Sequence, residues 1–352
     1  MSATLLRRVA PQLATLVAVL ALIALAFPGF FDIDLAGGRL VGSPIDILKR
    51  GGPVAILAIG MTLVIATRGI DLSVGAVMAI AGAVAAWGVT EGLGVASAIA
   101  LAVAAGLLCG LWNGLLVAVL GIQPIVTTLI LMVAGRGIAQ LVTEGRILTF
   151  NDEGLAWFGA GTAGPFPTPV VIWVLAGIVA GFVVRGTALG LLIEALGVNP
   201  RASRLAGINT GVLLVAVYMI SGLCAAIAGV IAAADIRGAD ANNAGLWLEL
   251  DAILAVVIGG TSLLGGRFSI LASLIGAMTI QSINTGILLA GFPPEFNLVI
   301  KAVIVLVILV LQSPRLGTTI AAARARREAA SAPRRADDPG RVTANPIEEG
   351  PR

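Results

Sequence analysis

Ten apolar runs, near 10–27, 52–67, 74–90, 93–120, 122–142, 169–185, 212–234, 252–264, 268–289 and 298–312, confine this chain to a lipid bilayer. Hydrophobic residues make up 58% of it and charged residues 12%. A soluble domain carries about a quarter charged residues. In lipid every backbone polar group must be satisfied within the protein, which leaves helices or closed barrels. The alternation of a barrel strand is absent. The sequence therefore predicts an all-α, polytopic membrane protein of about ten transmembrane helices. Several runs are short, and Gly and Pro interrupt them, as expected of tilted or broken helices around a path. The 45 glycines suit close helix packing.

Charge sets the expected orientation. With the N-terminus inside, Arg7, Arg8, Arg68, Arg185, Arg201, Arg204, Arg267 and Arg315 fall on the inner side. Glu91, Glu144, Asp152, Glu153, Asp235, Asp240, Glu249 and Glu295 fall outside, together with Lys49, Arg50, Arg146 and Arg237. Both termini are then cytoplasmic. Arg7 and Arg8 precede a first span rather than a cleaved signal, because no clean small-residue cleavage site follows. Residues 1–314 form the transmembrane domain. Residues 315–352, rich in Pro, Ala, Arg, Asp and Glu, are expected to be a disordered cytoplasmic tail after a helix reaching about Glu328. Arg324, Arg326 and Arg327 would lie against lipid headgroups or serve only topology. The longest polar connection outside is 143–168, where Trp157 and Phe158 offer an interfacial anchor or a docking surface.

Histidine is absent, which excludes a Ser-His-Asp triad, a His-Glu-x-x-His zinc site and His-ligated haem. No metal site is expected. Cys109 and Cys224 lie in apolar runs and read as small buried hydrophobes. The net charge of +3 comes from arginines between spans, without a basic face for nucleic acid. No Walker A sequence occurs, so any ATP that drives this chain is bound elsewhere.

Polar segments break the pattern in three places. Gly190-Leu-Leu-Ile-Glu-Ala-Leu-Gly-Val-Asn-Pro-Arg-Ala-Ser-Arg-Leu-Ala-Gly207 contains a short helix that starts at Asn199 and Pro200 and stops at Gly207. About two turns are too few to stand alone in water, so the helix must dock. Arg201 and Arg204 share one face, and Ala202, Leu205 and Ala206 supply the apolar side. That suits contact with a soluble partner, or an ordinary loop whose arginines set topology. Arg68, Asp71 and Ser73 lie between the second and third runs; Asp71 or Ser73 would cap the following helix. Glu249 to Arg267 holds two glycine pairs, the first being Gly259 and Gly260, suited to a tight turn or a broken helix. Gly69–Ala83 and Gly266–Ala277 are faintly alike, as an internal repeat or as shared small-residue composition.

Uncharged polar residues inside spans are candidates for a path: Asn113, Gln123, Thr127, Thr128, Gln140, Gln281, Asn284 and Thr285, with Trp112 as an aromatic neighbour. Gln281, Asn284 and Thr285 share one helix face. Each could instead bond a neighbouring helix. No acidic pair and no charged pair is evident within a span, which speaks against a proton relay and for a solute recognised through hydroxyls.

Three blocks resemble the permease subunits of bacterial ABC importers for sugars, the ribose/xylose/galactose branch. They are Ile59-Gly-Met-Thr-Leu-Val-Ile through Arg-Gly-Ile-Asp-Leu-Ser-Val-Gly75, Ala195-Leu-Gly-Val-Asn-Pro-Arg-Ala-Ser-Arg-Leu-Ala-Gly-Ile208, and Glu249 through Gly-Gly-Thr-Ser-Leu-Leu-Gly-Gly-Arg267. The likeness covers roughly 50–312 and leans toward galactofuranose-type permeases. It implies a multi-pass subunit of the bacterial inner membrane that makes and breaks no bonds. Two permease chains, identical or paralogous, would form the pore. Separate ATPase subunits would hold ATP and Mg, and a periplasmic sugar-binding protein would dock outside. Glu194, Asn199, Pro200, Arg201 and Arg204 would couple to the ATPase. Arg68 stands where that family usually has Gly, and Val198 replaces a common Gly; Arg201 and Ser203 replace small or acidic residues. Permeases of branched-chain amino acid importers share the fold class, and a facilitator or channel without ATP is the other alternative.

Overall fold

The computed structural model describes residues 3–312. The tail expected over 315–352 lies outside them, as do the last two residues of the expected transmembrane domain. The described chain is a helical membrane bundle. It opens with α1 (Ala3–Ala26), a β-hairpin of β1 (Asp34–Ala36) and β2 (Arg39–Val41), and α2 (Ser43–Arg50). Four long helices follow: α3 (Gly52–Ala66), α4 (Val74–Thr90), α5 (Val95–Ala118) and α6 (Pro124–Val142). Then come β3 (Leu148–Thr149), α7 (Glu153–Ala160), β4 (Thr162–Ala163), β5 (Phe166–Pro167) and α8 (Thr168–Gly186). After α9 (Leu189–Val198) and α10 (Pro200–Leu205) the chain forms α11 (Thr210–Asp235), β6 (Gly238–Ala239), α12 (Leu248–Ile258), α13 (Ile270–Leu289) and α14 (Pro294–Gln312).

Nine of the ten apolar runs coincide with helices, and the run 252–264 is helical only as far as Ile258. Six of these helices are long and apolar enough to cross a bilayer, and α2 with α3, bent by 43°, count as a seventh if the pair is taken as one span. α4, α12 and the apolar part of α14 are shorter, so about ten apolar segments include several that fall short of a full crossing.

Helix α3 is the centre of the bundle. All of its residues except Pro53 are buried, which is what an all-round apolar helix requires. α11 packs along α3, α4 and α5. A Cβ on Gly106 of α5 would come within 2.5 Å of the Gly222 carbonyl of α11, so small residues set this crossing. Neighbours along α11 fix the level of every other segment. Lys49 meets Asp235, Gly60 lies on Ser221, and Gly69 lies on Tyr218. α3 thus runs antiparallel to α11, its middle beside the middle of α11 and its last turn toward the Thr210 end. The short helices α7 and α10 mark the two ends of the bundle: Gly159 packs on Ala234 and Asp235, and Arg204 bonds Thr210.

Two helices start in the interior. α4 begins after the turn at Asp71, whose partner Ser221 stands 11 residues from one end of α11 and 14 from the other. At about 1.5 Å per residue this is roughly 17 and 21 Å from the ends. α12 begins at the same level, because a Cβ on Gly75 would meet the Glu249 carboxylate at 2.5 Å and the Gly245 backbone lies against it. The connector 236–247 reaches this level from the α7 end. Arg136 of α6 holds it by donating to the carbonyls of Ala241 (3.1 Å) and Ala244 (2.6 Å). Cys109 and Cys224 are free thiols, half-buried and buried respectively.

Candidate functional site

The three motif blocks, far apart in sequence, meet at one junction toward the α10 end. The amide of Gly266 donates to the carbonyl of Ala66 at 2.9 Å. Gly197 is wedged between them: a Cβ there would strike the Ala66 carbonyl and stand 2.5 Å from the Gly266 nitrogen. Arg68, in a left-handed backbone conformation (φ 67), donates through Nε to the Gly197 carbonyl and through Nη2 to that of Val198, each at 2.5 Å. A guanidinium there satisfies the last carbonyls of α9 and opposes the negative end of its dipole.

Helix α10 follows at once. The Asn199 side chain accepts from the amides of Arg201 and Ala202, both at 3.1 Å; Pro200 is the first helical residue, and Gly207 stops the helix at φ +83. The local chemistry read from the sequence therefore holds. The assignment of faces does not. Ser203 is the buried residue, donating to the Asn199 carbonyl at 3.0 Å. Ala202 and Ala206 are exposed and Leu205 is 91% exposed, so the apolar side points away from the bundle. Arg204 turns back to donate to the Thr210 hydroxyl at 3.0 Å, while Arg201 is exposed. Glu194 is half-buried in α9.

A second group of polar residues lies at the interior break. The carboxylate of Asp71 accepts from the Ser73 amide (3.0 Å), the Ser73 hydroxyl (2.6 Å) and the Ser221 hydroxyl (2.7 Å). Asn113 of α5 donates to the Ser73 hydroxyl at 2.9 Å. Neither Asp71 nor Ser73 caps the first turn of α4, contrary to the reading from sequence; Asp71 folds the turn before it and ties that turn to α11 and, through Ser73, to α5. Thr128 donates to the Ile70 carbonyl at 3.2 Å. Asn113 Oδ1 and the hydroxyls of Thr127 and Tyr218 are buried without a hydrogen-bond partner.

The path candidates thus divide. Asn113 and Thr128 belong to the interior break, and Thr127 is buried next to Thr128 on α6 without a hydrogen-bond partner for its hydroxyl. Gln281 is buried on α13 and borders a cavity of about 340 Å³ with Lys49, Arg50, Asp235 and Leu248, toward the α7 end. Asn284 and Thr285 are half-buried on the same helix, and Asn284 Oδ1 has no partner. Trp112 is exposed on the flank of α5, away from this cavity. Gly259 packs on α13 and its carbonyl accepts from Gln12 of α1 at 3.2 Å; Gly260 turns the chain at φ +83.

Charged groups inside the bundle correct the sequence reading. Lys301 of α14 pairs with Asp251 of α12 at 2.9 and 3.0 Å, both buried, and Arg136 and Glu249 also lie within the bundle. A lone charge inside an apolar run was the available signal. The carboxylates stand where two helix starts concentrate positive partial charge, with Glu249 and Asp251 in the first turn of α12. At the α7 end, three of the basic residues that weaken the charge bias are paired: Lys49 with Asp235 (2.7 Å), Arg237 with Glu153 (2.7 Å) and Arg146 with Glu144 (2.6 Å). Arg237 holds the Glu153 carboxyl below its ordinary range, and a side-chain hydrogen bond from Asn243 does the same for Asp240.

Among the described residues no group of three or more His, Cys, Asp or Glu is placed to hold a metal. Residues 43–309 match the family described as branched-chain amino acid transport system / permease component. The chain is 61% identical to the galactofuranose transporter permease protein YtfT of Escherichia coli, over 90% of this chain and 93% of that one. It is 46% identical to the fructose import permease protein FruF of Bifidobacterium longum, over 79% and 80%. It is 38% identical to the ribose import permease protein RbsC of Escherichia coli, over 86% and 93%. No solved structure matched. With a matched family spanning most of its length and these permeases as relatives, the chain belongs to the permease family of bacterial ABC importers.

Proposed function

We propose that this chain is the membrane-spanning subunit of an ATP-driven importer for a monosaccharide, with galactofuranose the first sugar to test. The observation that carries this reading is the junction of the three blocks with α10, a short helix presented to a partner in a chain without a nucleotide site. The sugar-importing relatives support the substrate class. ATP and Mg belong to separate ATPase subunits. A second permease chain, identical or paralogous, completes the pore, and a periplasmic sugar-binding protein delivers the solute. The protein resides in the bacterial inner membrane with α10 and both termini facing the cytoplasm. The pairing of Lys49, Arg146 and Arg237 with carboxylates supports that orientation, because it cancels much of the positive charge on the far side.

Import of an amino acid would need free charges for an ammonium and a carboxylate. Lys301 and Asp251 are each other's buried partners and Arg136 is engaged by two backbone carbonyls, so a neutral, hydroxyl-rich solute fits the interior better. Co-purification with the ATPase subunits, followed by uptake of a panel of sugars with the binding protein, tests the reading. Uptake of leucine but of no sugar would overturn it. Leu205→Asp is expected to abolish co-purification of the ATPase and Arg201→Glu to weaken it, since α10 leaves the large apolar side chain of Leu205 91% exposed. Orientation is tested by thiol labelling of Ala206→Cys from the cytoplasm and Ala160→Cys from outside; labelling of both from one side would refute it. Ser203 is unsuitable for this purpose because it is buried.

A further inference from the structure

Arg68 occupies an unusual place. Non-glycine residues seldom adopt a left-handed conformation, and this one does so three residues before Asp71. Its guanidinium holds the last two carbonyls of α9, the second of them on the residue just before the Asn199 cap of α10. The segment it belongs to is stiff. The amide of Arg68 donates to the Ile65 carbonyl and that of Gly69 to the Val64 carbonyl, at 2.9 and 3.0 Å. Gly265 leaves room for the arginine stem: a Cβ there would stand 2.5 Å from its Cγ. At the other end of the segment Asp71 grips Ser221 and, through Ser73, Asn113.

We propose that Arg68 is a positioning residue that transmits displacement of α10 to the break between α3 and α4, through the two carbonyls of α9 on one side and Asp71 on the other. This rests on the reading that α10 engages the ATPase. The side chain acts as a tie rod. A movement of Val198 pulls on Arg68, and the stiff turn delivers it to the groups that join α4, α5 and α11. Glycine would satisfy the backbone at this position and supply no tie.

That contrast makes the test clean. Arg68→Gly relieves the left-handed conformation, so the variant is expected to fold, melt no lower than wild type and bind the ATPase. In proteoliposomes with the ATPase and the sugar-binding protein, radiolabelled galactose moved per ATP hydrolysed is expected to fall about fivefold or more. Arg68→Lys, which keeps one charged donor, should recover part of the ratio. A wild-type ratio in Arg68→Gly, or a fall matched by lost melting temperature or lost ATPase binding, overturns the proposal. If the wild type moves neither galactose, galactofuranose nor any other sugar of the panel, it is the sugar reading that fails. The tie is then judged by thiol labelling of Ile70→Cys with and without a non-hydrolysable ATP analogue. A nucleotide-dependent change that is lost in Arg68→Gly supports it, and one that persists overturns it.

Discussion

Helix α10 and helix α4 both begin in the middle of a motif, and they begin for different reasons. α10 is started by its own neighbours: Asn199 supplies the cap to amides two and three residues on, and Pro200 fixes the first turn. α4 is started by distant ones. Its turn is held by Asp71, whose second oxygen is occupied by Ser221, 150 residues later. α12 is of the second kind, since its first-turn Asp251 is paired with Lys301, 50 residues on. Where water is available, a helix end needs only a local cap. Within the bundle, each exposed polar group must find a partner from another helix, and the partners become the structure.

The largest effect that separates the two regions is expected at Lys301. Lys301→Met leaves Asp251 buried and unpaired, at a cost of about 3–5 kcal/mol. The detergent-solubilised protein should melt far lower, and adding Asp251→Leu should recover much of the loss. A small loss in the single variant would show that the interior is wetter than its burial implies. Asp71→Ala comes next. It removes the acceptor from three donors, at about 1–3 kcal/mol for a donor left unsatisfied, and both melting temperature and uptake should fall. At α10 the same experiment should look different. Asn199→Ala costs about 1 kcal/mol of local helix stability. Uptake should fall several-fold while the melting temperature of the bundle barely changes; a large drop would mean that α10 is part of the core rather than docked on it. Smallest of all is Glu153→Gln at the exposed pair with Arg237. The depressed carboxyl of Glu153 contributes above its ordinary titration range and loses that contribution as the pH falls through it. Because the pair is solvent-exposed, no change in melting temperature at pH 7 is expected.

The same contrast explains what could be read from the sequence. The apolar runs, the Asn199–Pro200 start and the Gly207 stop depend on neighbours within a few residues, and the helices and α10 appear where those signals place them. Lys301 sits in a run that reads as one more span, and its partner is identified only when α12 and α14 are packed together. Arg136 is flanked by Gly135 and Gly137 and disappears into an apolar average, yet it holds the connector 236–247. Leu205 reads as inward because apolar residues usually dock, yet it is 91% exposed, and no local signal distinguishes the two. The path residues were legible as polar groups in lipid but not as two separate groups, since only the packed bundle puts Asn113 of α5 against Ser73 and Gln281 of α13 beside the Lys49 cavity.

The ion pair between Lys49 and Asp235 has a bearing on how the protein is made. The two residues are 186 positions apart. At a synthesis rate of about 5–20 residues per second, the lysine emerges roughly ten to forty seconds before its aspartate exists. During that interval the lysine lacks the carboxylate that pairs with it in the finished bundle. The ion pair is thus a contact that only the arrival of α11 supplies, and the earlier segments have their apolar length to hold them until then.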